Sequence, residues 1–149
     1  MIIVAPTSPK DPEASALLRA SHALMQSLFP PEDNFFLDIE ELCTDDIRFF
    51  TARIDGHIVG TGALALKEGY GEVKSMFVDE SARGKGVADA ILRQIEDEAR
   101  ALDLPLLRLE TGNVLYAAHR LYERHGYAVR GPFGDYPAAP SSIFMERTL

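Results

Sequence analysis

Arg83-Gly84-Lys85-Gly86 is a basic, glycine-bearing loop set between an apolar run, Ser75–Val78, and a stretch with helical period. A glycine loop at a strand-to-helix turn suits phosphate. Unpaired backbone N–H groups and the positive end of the helix dipole converge there. Glycine leaves no side chain in the way of close approach. Taken alone, two such glycines also serve a plain helix entry. A nucleotide P-loop fits poorly, because that motif places Ser or Thr after Gly-Lys and here Gly86 follows. A dinucleotide fold fits poorly too, since an antiparallel hairpin precedes the loop.

Other reactive side chains are sparse. Cys43 is the single cysteine, with no recognisable His or acidic partner nearby, and reads as an ordinary buried or idle thiol. The four histidines, His22, His57, His119 and His125, lack metal-ligand spacing, so no metal is expected. Asp33, Glu40, Glu41 and Asp135 are carboxylates available to a cationic partner, and Phe35, Phe36, Phe133 and Tyr136 could wall an apolar pocket.

The elements that must position these groups follow from period and punctuation. Ala88, Ile91, Leu92, Ile95, Ala99 and Leu102 form the apolar face of the helix after the loop, with Glu96-Asp97-Glu98 read as solvated. Ile2–Val4 predicts a strand. Asp11 with Pro12 predicts a helix start, Pro30-Pro31 its end, and Leu37–Leu42 a short second helix. Ile47–Ile54 and His57–Leu66 flank Asp55-Gly56, a hairpin signal. Glu72–Val78 and Leu106–Glu110 predict further strands, Tyr116–His125 a helix stopped by Gly126, and Tyr127–Arg130 and Ile143–Glu146 the last strands.

The 149 residues fit one domain, 1–149, with room for a real core. A net charge of −8 argues against nucleic acid as a partner. It favours the approach of a cationic small molecule. No apolar run approaches the roughly 20 residues of a membrane helix, and the lone cysteine suits a reducing compartment. The expectation is a soluble cytoplasmic domain with no membrane partner. The sequence leaves the oligomeric state open, a homodimer included.

Arg83-Gly84-Lys85-Gly86-Val87-Ala88 resembles the Arg/Gln-x-x-Gly-x-Gly/Ala motif of the GCN5-related N-acetyltransferases, the GNAT superfamily. A second stretch, Ala118-His119-Arg120-Leu121-Tyr122-Glu123-Arg124-His125-Gly126-Tyr127, is similar to that family's Ala-x-x-Leu-Tyr-x-x-x-Gly-Phe/Tyr signature. The element order resembles the family's along essentially the whole chain. The resemblance implies an α/β fold whose mixed, mainly antiparallel sheet of about seven strands is splayed between strands four and five. It implies an acetyltransferase moving acetyl from acetyl-CoA to a primary amine of a small molecule or peptide by direct attack in a ternary complex. A non-catalytic acyl-CoA-binding or regulatory domain on the same fold is the alternative.

The roles implied are residue by residue. Backbone amides of Arg83, Gly84, Lys85, Gly86, Val87 and Ala88 wrap the coenzyme pyrophosphate. Backbone groups of Met76, Phe77 and Val78 contact the donor and polarise the acetyl carbonyl, their side chains being core. Tyr122 protonates the departing thiolate. Glu72, eleven residues ahead of Arg83, is the base, directly or through water. A base is useful because a lysine-like amine has a pKa of about 10.4. One departure is Leu115, where many relatives carry an Asn that contacts the pantetheine arm.

Overall fold

In the computed structural model, which describes all 149 residues, Asp11 starts the first helix. Its Oδ1 accepts hydrogen bonds from the amides of Glu13 (3.0 Å) and Ala14 (3.2 Å). Helix α1 then runs Pro12–Leu28, and Phe29 turns extended ahead of Pro30. The second helix expected over Leu37–Leu42 does not form. Three-residue 3-10 turns at Pro31–Asp33 and Glu41–Cys43 replace it. Asp38 and Glu41 cap each other's amides, and six residues are too few to repay helix nucleation without a long packed face.

Strand β1 (Ile2–Pro6) pairs with β2 (Ile47–Ile54), which turns into β3 (His57–Lys67) at Asp55-Gly56. Both turn residues take positive φ, 51° and 80°, the geometry that matches strand twist in a two-residue hairpin. Strand β4 (Tyr70–Val78), helix α2 (Val87–Ala101), β5 (Leu106–Gly112), helix α3 (Tyr116–Arg124), β6 (Ala128–Arg130) and β7 (Ser142–Thr148) follow. All seven strands form one sheet in the order β1-β2-β3-β4-β5-β7-β6. Only β4–β5 is parallel.

Successive residues of a strand point to opposite faces, and the core divides accordingly. On one face Phe50, Leu64, Val73, Leu107, Leu109 and Met145 meet Ile91, Leu92 and Ile95 of α2. On the other, Phe49 and Ala63 meet Ala14, Leu17 and Leu18 of α1.

Glu96 does not lie on a solvated face. It is 3% exposed, and its Oε2 accepts from the Tyr127 hydroxyl (3.0 Å) and an Arg147 guanidinium (2.7 Å). The His125 ring stands 3.7 Å from Oε1. Hydrogen-bond and charge partners from α3's end and β7 make this burial tolerable. Glu96→Ala is expected to cost about 3 kcal/mol, because it strands a guanidinium and a phenol together. Urea unfolding reads the loss, and a value under about 1 kcal/mol would mean that water replaces the carboxylate.

Candidate active site

Gly84 and Gly86 adopt φ of 77° and 83°, and a Cβ on either would meet no atom within 4 Å. The backbone there is left-handed and its outer side is open. Gly86 is the N-cap of α2 and supplies no side-chain acceptor. The first amide bonded inside the helix is that of Ala90, to the Gly86 carbonyl, which leaves the amides of Val87, Ala88 and Asp89 without partners in the chain. Arg83 and Lys85 are exposed beside them, while Val87 is buried. The arrangement is built to receive anionic oxygens.

Next to this loop the sheet opens. The β4–β5 pairing comprises Gly71 with Leu107 and Glu72 with Arg108, and goes no further. Beyond Glu72, β4 keeps β3 as its only strand neighbour. It also kinks. Ser75 and Met76 together oppose Gly62, a bulge in which Ser75 takes φ 57° and Thr61 Oγ1 donates to the Ser75 carbonyl at 2.8 Å. Bulges re-aim strands at such places. Gly62 is required there, since a Cβ would come within 2.8 Å of the Met76 sulfur and 2.4 Å of Ile91. Met76 and Val78 pack on the α2-side core and Phe77 on the α1-side core, so all three side chains are core as expected.

Glu72 stands where the two strands part, and it is 3% exposed. The Tyr136 hydroxyl, carried in by the β6–β7 loop, donates to its Oε2 at 2.5 Å. Lys74 Nζ lies 3.4 Å from the same oxygen and donates to the Tyr136 oxygen (2.7 Å) and the Phe35 carbonyl (3.1 Å). Ser141 of the loop donates to Asp33 (2.9 Å), tying the loop to the α1–β2 connection.

Tyr122 is 5% exposed on α3, edge-on to Tyr127 at 5.7 Å between ring centres. Burial first, and the Glu110 charge second, push its phenol far above the ordinary value. Glu110, on β5 past the parting point, links both halves of the site. Burial raises its carboxyl, against a hydrogen bond from Ser142 (2.8 Å) and the Lys74 charge; Glu72 and Asp33 push it further up. Leu115 caps α3 without a side-chain bond, and Asn113 is exposed with its amide on the Ser141 carbonyl.

A model of the acetyltransferase (GNAT) family matches residues 16–127. The chain belongs to that family. It is 45% identical to an "IAA acetyltransferase" of Azospirillum brasilense, covering 99% of this chain and 98% of that protein. The solved structure of a Klebsiella pneumoniae protein described as an acyl-CoA N-acyltransferase superposes with a TM-score of 0.84 at 34% identity, covering 100% of this chain and 98% of the other. The same fold recurs in the PaiA N-acetyltransferase of Thermoplasma acidophilum, solved in complex with coenzyme A (TM-score 0.76, 16% identity, 100% and 99% covered). This GNAT protein is thus an acetyl-CoA-dependent acyltransferase with the seven-stranded, splayed sheet of its family. No helix is long and apolar enough to cross a membrane.

Sequence reasoning missed three members of the site: Lys74, Glu110 and, as a partner of Glu72, Tyr136. Glu72 and Glu110 share a face only because the parallel register sets Glu72 against Arg108, two residues before Glu110. Cys43, expected to be a buried or idle thiol, is not buried: it is exposed and donates to the Ile39 carbonyl. His119 is half-buried, 2.8 Å from the Gly112 carbonyl.

Glu110 carries a pH prediction. A carboxyl raised by folding contributes stability below its unfolded pKa and loses it as pH rises through the folded value. Glu110→Gln is therefore expected to melt higher than the wild type at about pH 8, with the gap closing towards about pH 4. Melting curves across pH check this; a gap that widens in acid would reverse the sign.

Proposed function

We propose that this GNAT enzyme moves acetyl from acetyl-CoA to a primary amine of a small molecule or peptide by direct attack in a ternary complex. The observation that carries the reading is the parting of β4 from β5 at Glu72, with a carboxylate at the base of the opening and an uncapped helix start beside it. Backbone amides of Gly84, Lys85, Gly86, Val87 and Ala88 hold the pyrophosphate. Arg83, whose amide bonds the Glu80 carbonyl (3.4 Å), contributes its exposed side chain instead. Backbone groups of Met76, Phe77 and Val78 line the thioester on the stretch of β4 that β5 does not cover. The amide of Asp79 bonds Val59 on β3, so the alternate amide, that of Val78, points to the open edge and polarises the carbonyl.

Glu72 takes a proton from the acceptor ammonium, freeing the nitrogen lone pair. The amine adds to the thioester carbonyl, and as the C–S bond breaks Tyr122 gives its proton to the thiolate. The phenol is restored by the second proton that the nitrogen sheds. Glu110 and Asp33 add negative charge that draws the acceptor ammonium. The residues themselves supply every proton transfer. Cys43, an exposed free thiol, suits a reducing cytoplasm.

The test is thiol release from acetyl-CoA with a panel of small amines, amino acids and peptides. Turnover confined to amine acceptors is expected. Tight acetyl-CoA binding with no turnover across the panel would leave a coenzyme binder instead.

A further inference from the structure

Glu72 is buried, and a base can act only on a proton that reaches it. The polar side chains that touch its carboxylate are those of Tyr136 and Lys74. These contacts have a direction. An ammonium can only donate, so the 2.7 Å contact from Lys74 Nζ to the Tyr136 oxygen fixes Lys74 as donor there. The single phenolic proton must then point at Glu72. Phe35 completes the orientation, since its carbonyl takes another Lys74 proton. The result is a hydrogen-bonded wire whose proton is aimed at the carboxylate before any substrate arrives.

We propose that Tyr136 is the relay through which the acceptor ammonium gives its proton to Glu72. This rests on the reading of Glu72 as the base. Lys74 fills one acceptor position of the phenol oxygen and leaves a second for the substrate. One N–H bond of the ammonium breaks and its proton moves to the Tyr136 oxygen. The original phenolic proton passes to Glu72 Oε2, and Tyr136 ends as a neutral phenol. Glu72 later returns its proton to solvent.

The phenol is suited to passing a proton rather than keeping a charge. Burial first, then the charges of Glu72 and Glu110, hold it far above its ordinary value. The groups that face it are Glu72, Lys74 and Tyr70 on β4 and Glu110 on β5. Its ring is held edge-on by Phe35, Phe133 and Phe144 at 5.2–5.6 Å. Tyr136→Phe keeps that packing and removes the hydroxyl alone.

The experiment measures thiol release by the wild type, Tyr136→Phe, Tyr136→His, Glu72→Gln and the double variant Tyr136→Phe with Glu72→Gln. It uses the panel amine with the fastest turnover, from about pH 6 to about pH 10. Tyr136→Phe and Glu72→Gln are each expected to lower kcat about 10²-fold with acetyl-CoA KM unchanged. The double variant should be no slower than either single one, because the two act as a unit. Both deficits should shrink as pH approaches the amine's own pKa, where the acceptor arrives unprotonated. Tyr136→His, whose imidazole can accept and donate, should exceed Tyr136→Phe.

Wild-type kcat in Tyr136→Phe beside a slow Glu72→Gln overturns the relay and leaves the base. A deficit that does not change with pH, or equal rates for the His and Phe variants, reduces Tyr136 to a structural part. Full activity in Glu72→Gln removes the base and the relay together. Absence of wild-type turnover with every amine overturns the proposed function itself.

Discussion

Gly86→Glu is expected to weaken acetyl-CoA binding about 10³-fold while leaving the protein folded. The fold survives because a Cβ at Gly86 meets nothing within 4 Å. The cost inside the chain is that of a non-glycine residue at φ 83°, on the order of 1–2 kcal/mol. The coenzyme does not escape so lightly. The new carboxylate projects into the space outside α2's first turn, where the amides of Val87 and Ala88 have no partner in the chain. Hydrogen bonds to a charged group are worth about 1.5–3 kcal/mol each, so losing two of them accounts for the fold-change before repulsion is added. Gly86→Ala separates the terms, because it adds the strain without the charge and should lose far less. Calorimetric titration with acetyl-CoA reads both variants. A Gly86→Glu variant that binds within tenfold of the wild type would place the pyrophosphate elsewhere.

That loop is legible in the sequence because everything it needs is local. Two glycines, a preceding apolar run and a helical period within twenty-five residues define its backbone. The Asp11-Pro12 start of α1 and the Asp55-Gly56 turn are legible for the same reason, since caps and tight turns are chemistry of adjacent residues. Glu96 shows the opposite case. Beside Asp97 and Glu98 it reads as a solvated charge, yet Tyr127 and Arg147, its partners, come from 31 and 51 residues away.

The site divides along the same line. Tyr122 and the Arg83–Ala88 loop sit in contiguous motifs and can be read from them. The cover over Glu72 is assembled from Phe35, Lys74 and Tyr136, three segments that nothing in the linear pattern joins. In the sequence Glu72 is a strand-start carboxylate that is exposed unless catalytic; its burial depends on a loop 64 residues later. The late loop, rich in Gly, Pro and Ala, has no period to betray which of its aromatics turns inward. The aromatic cluster of Phe133, Tyr136 and Phe144 decides that, and it exists only once β7 has inserted between β5 and β6.

Tyr122→Phe is expected to lower kcat by about 10²–10³-fold with acetyl-CoA KM within about twofold of the wild type. The side chain is 5% exposed and packed edge-on against Tyr127, so removing one oxygen opens no cavity that matters to the fold. What disappears is the proton. A departing thiolate is costly in a dry site, and a phenol raised by burial and by Glu110 stays protonated across the working range. The sign of that shift has a consequence for the wild-type pH profile. An acid whose pKa lies far above the ordinary tyrosine value stays competent as pH rises, so kcat should show no alkaline fall from Tyr122 up to about pH 10. Loss of rate in Tyr122→Phe should accordingly be uniform over that range. The Tyr136→Phe deficit, by contrast, should fade as the amine loses its own proton. A Tyr122→Phe enzyme with full kcat would remove the acid from the mechanism. A loss confined to KM would make Tyr122 a coenzyme contact. The contrast between a flat deficit and a fading one separates donation to sulfur from removal of the proton on nitrogen.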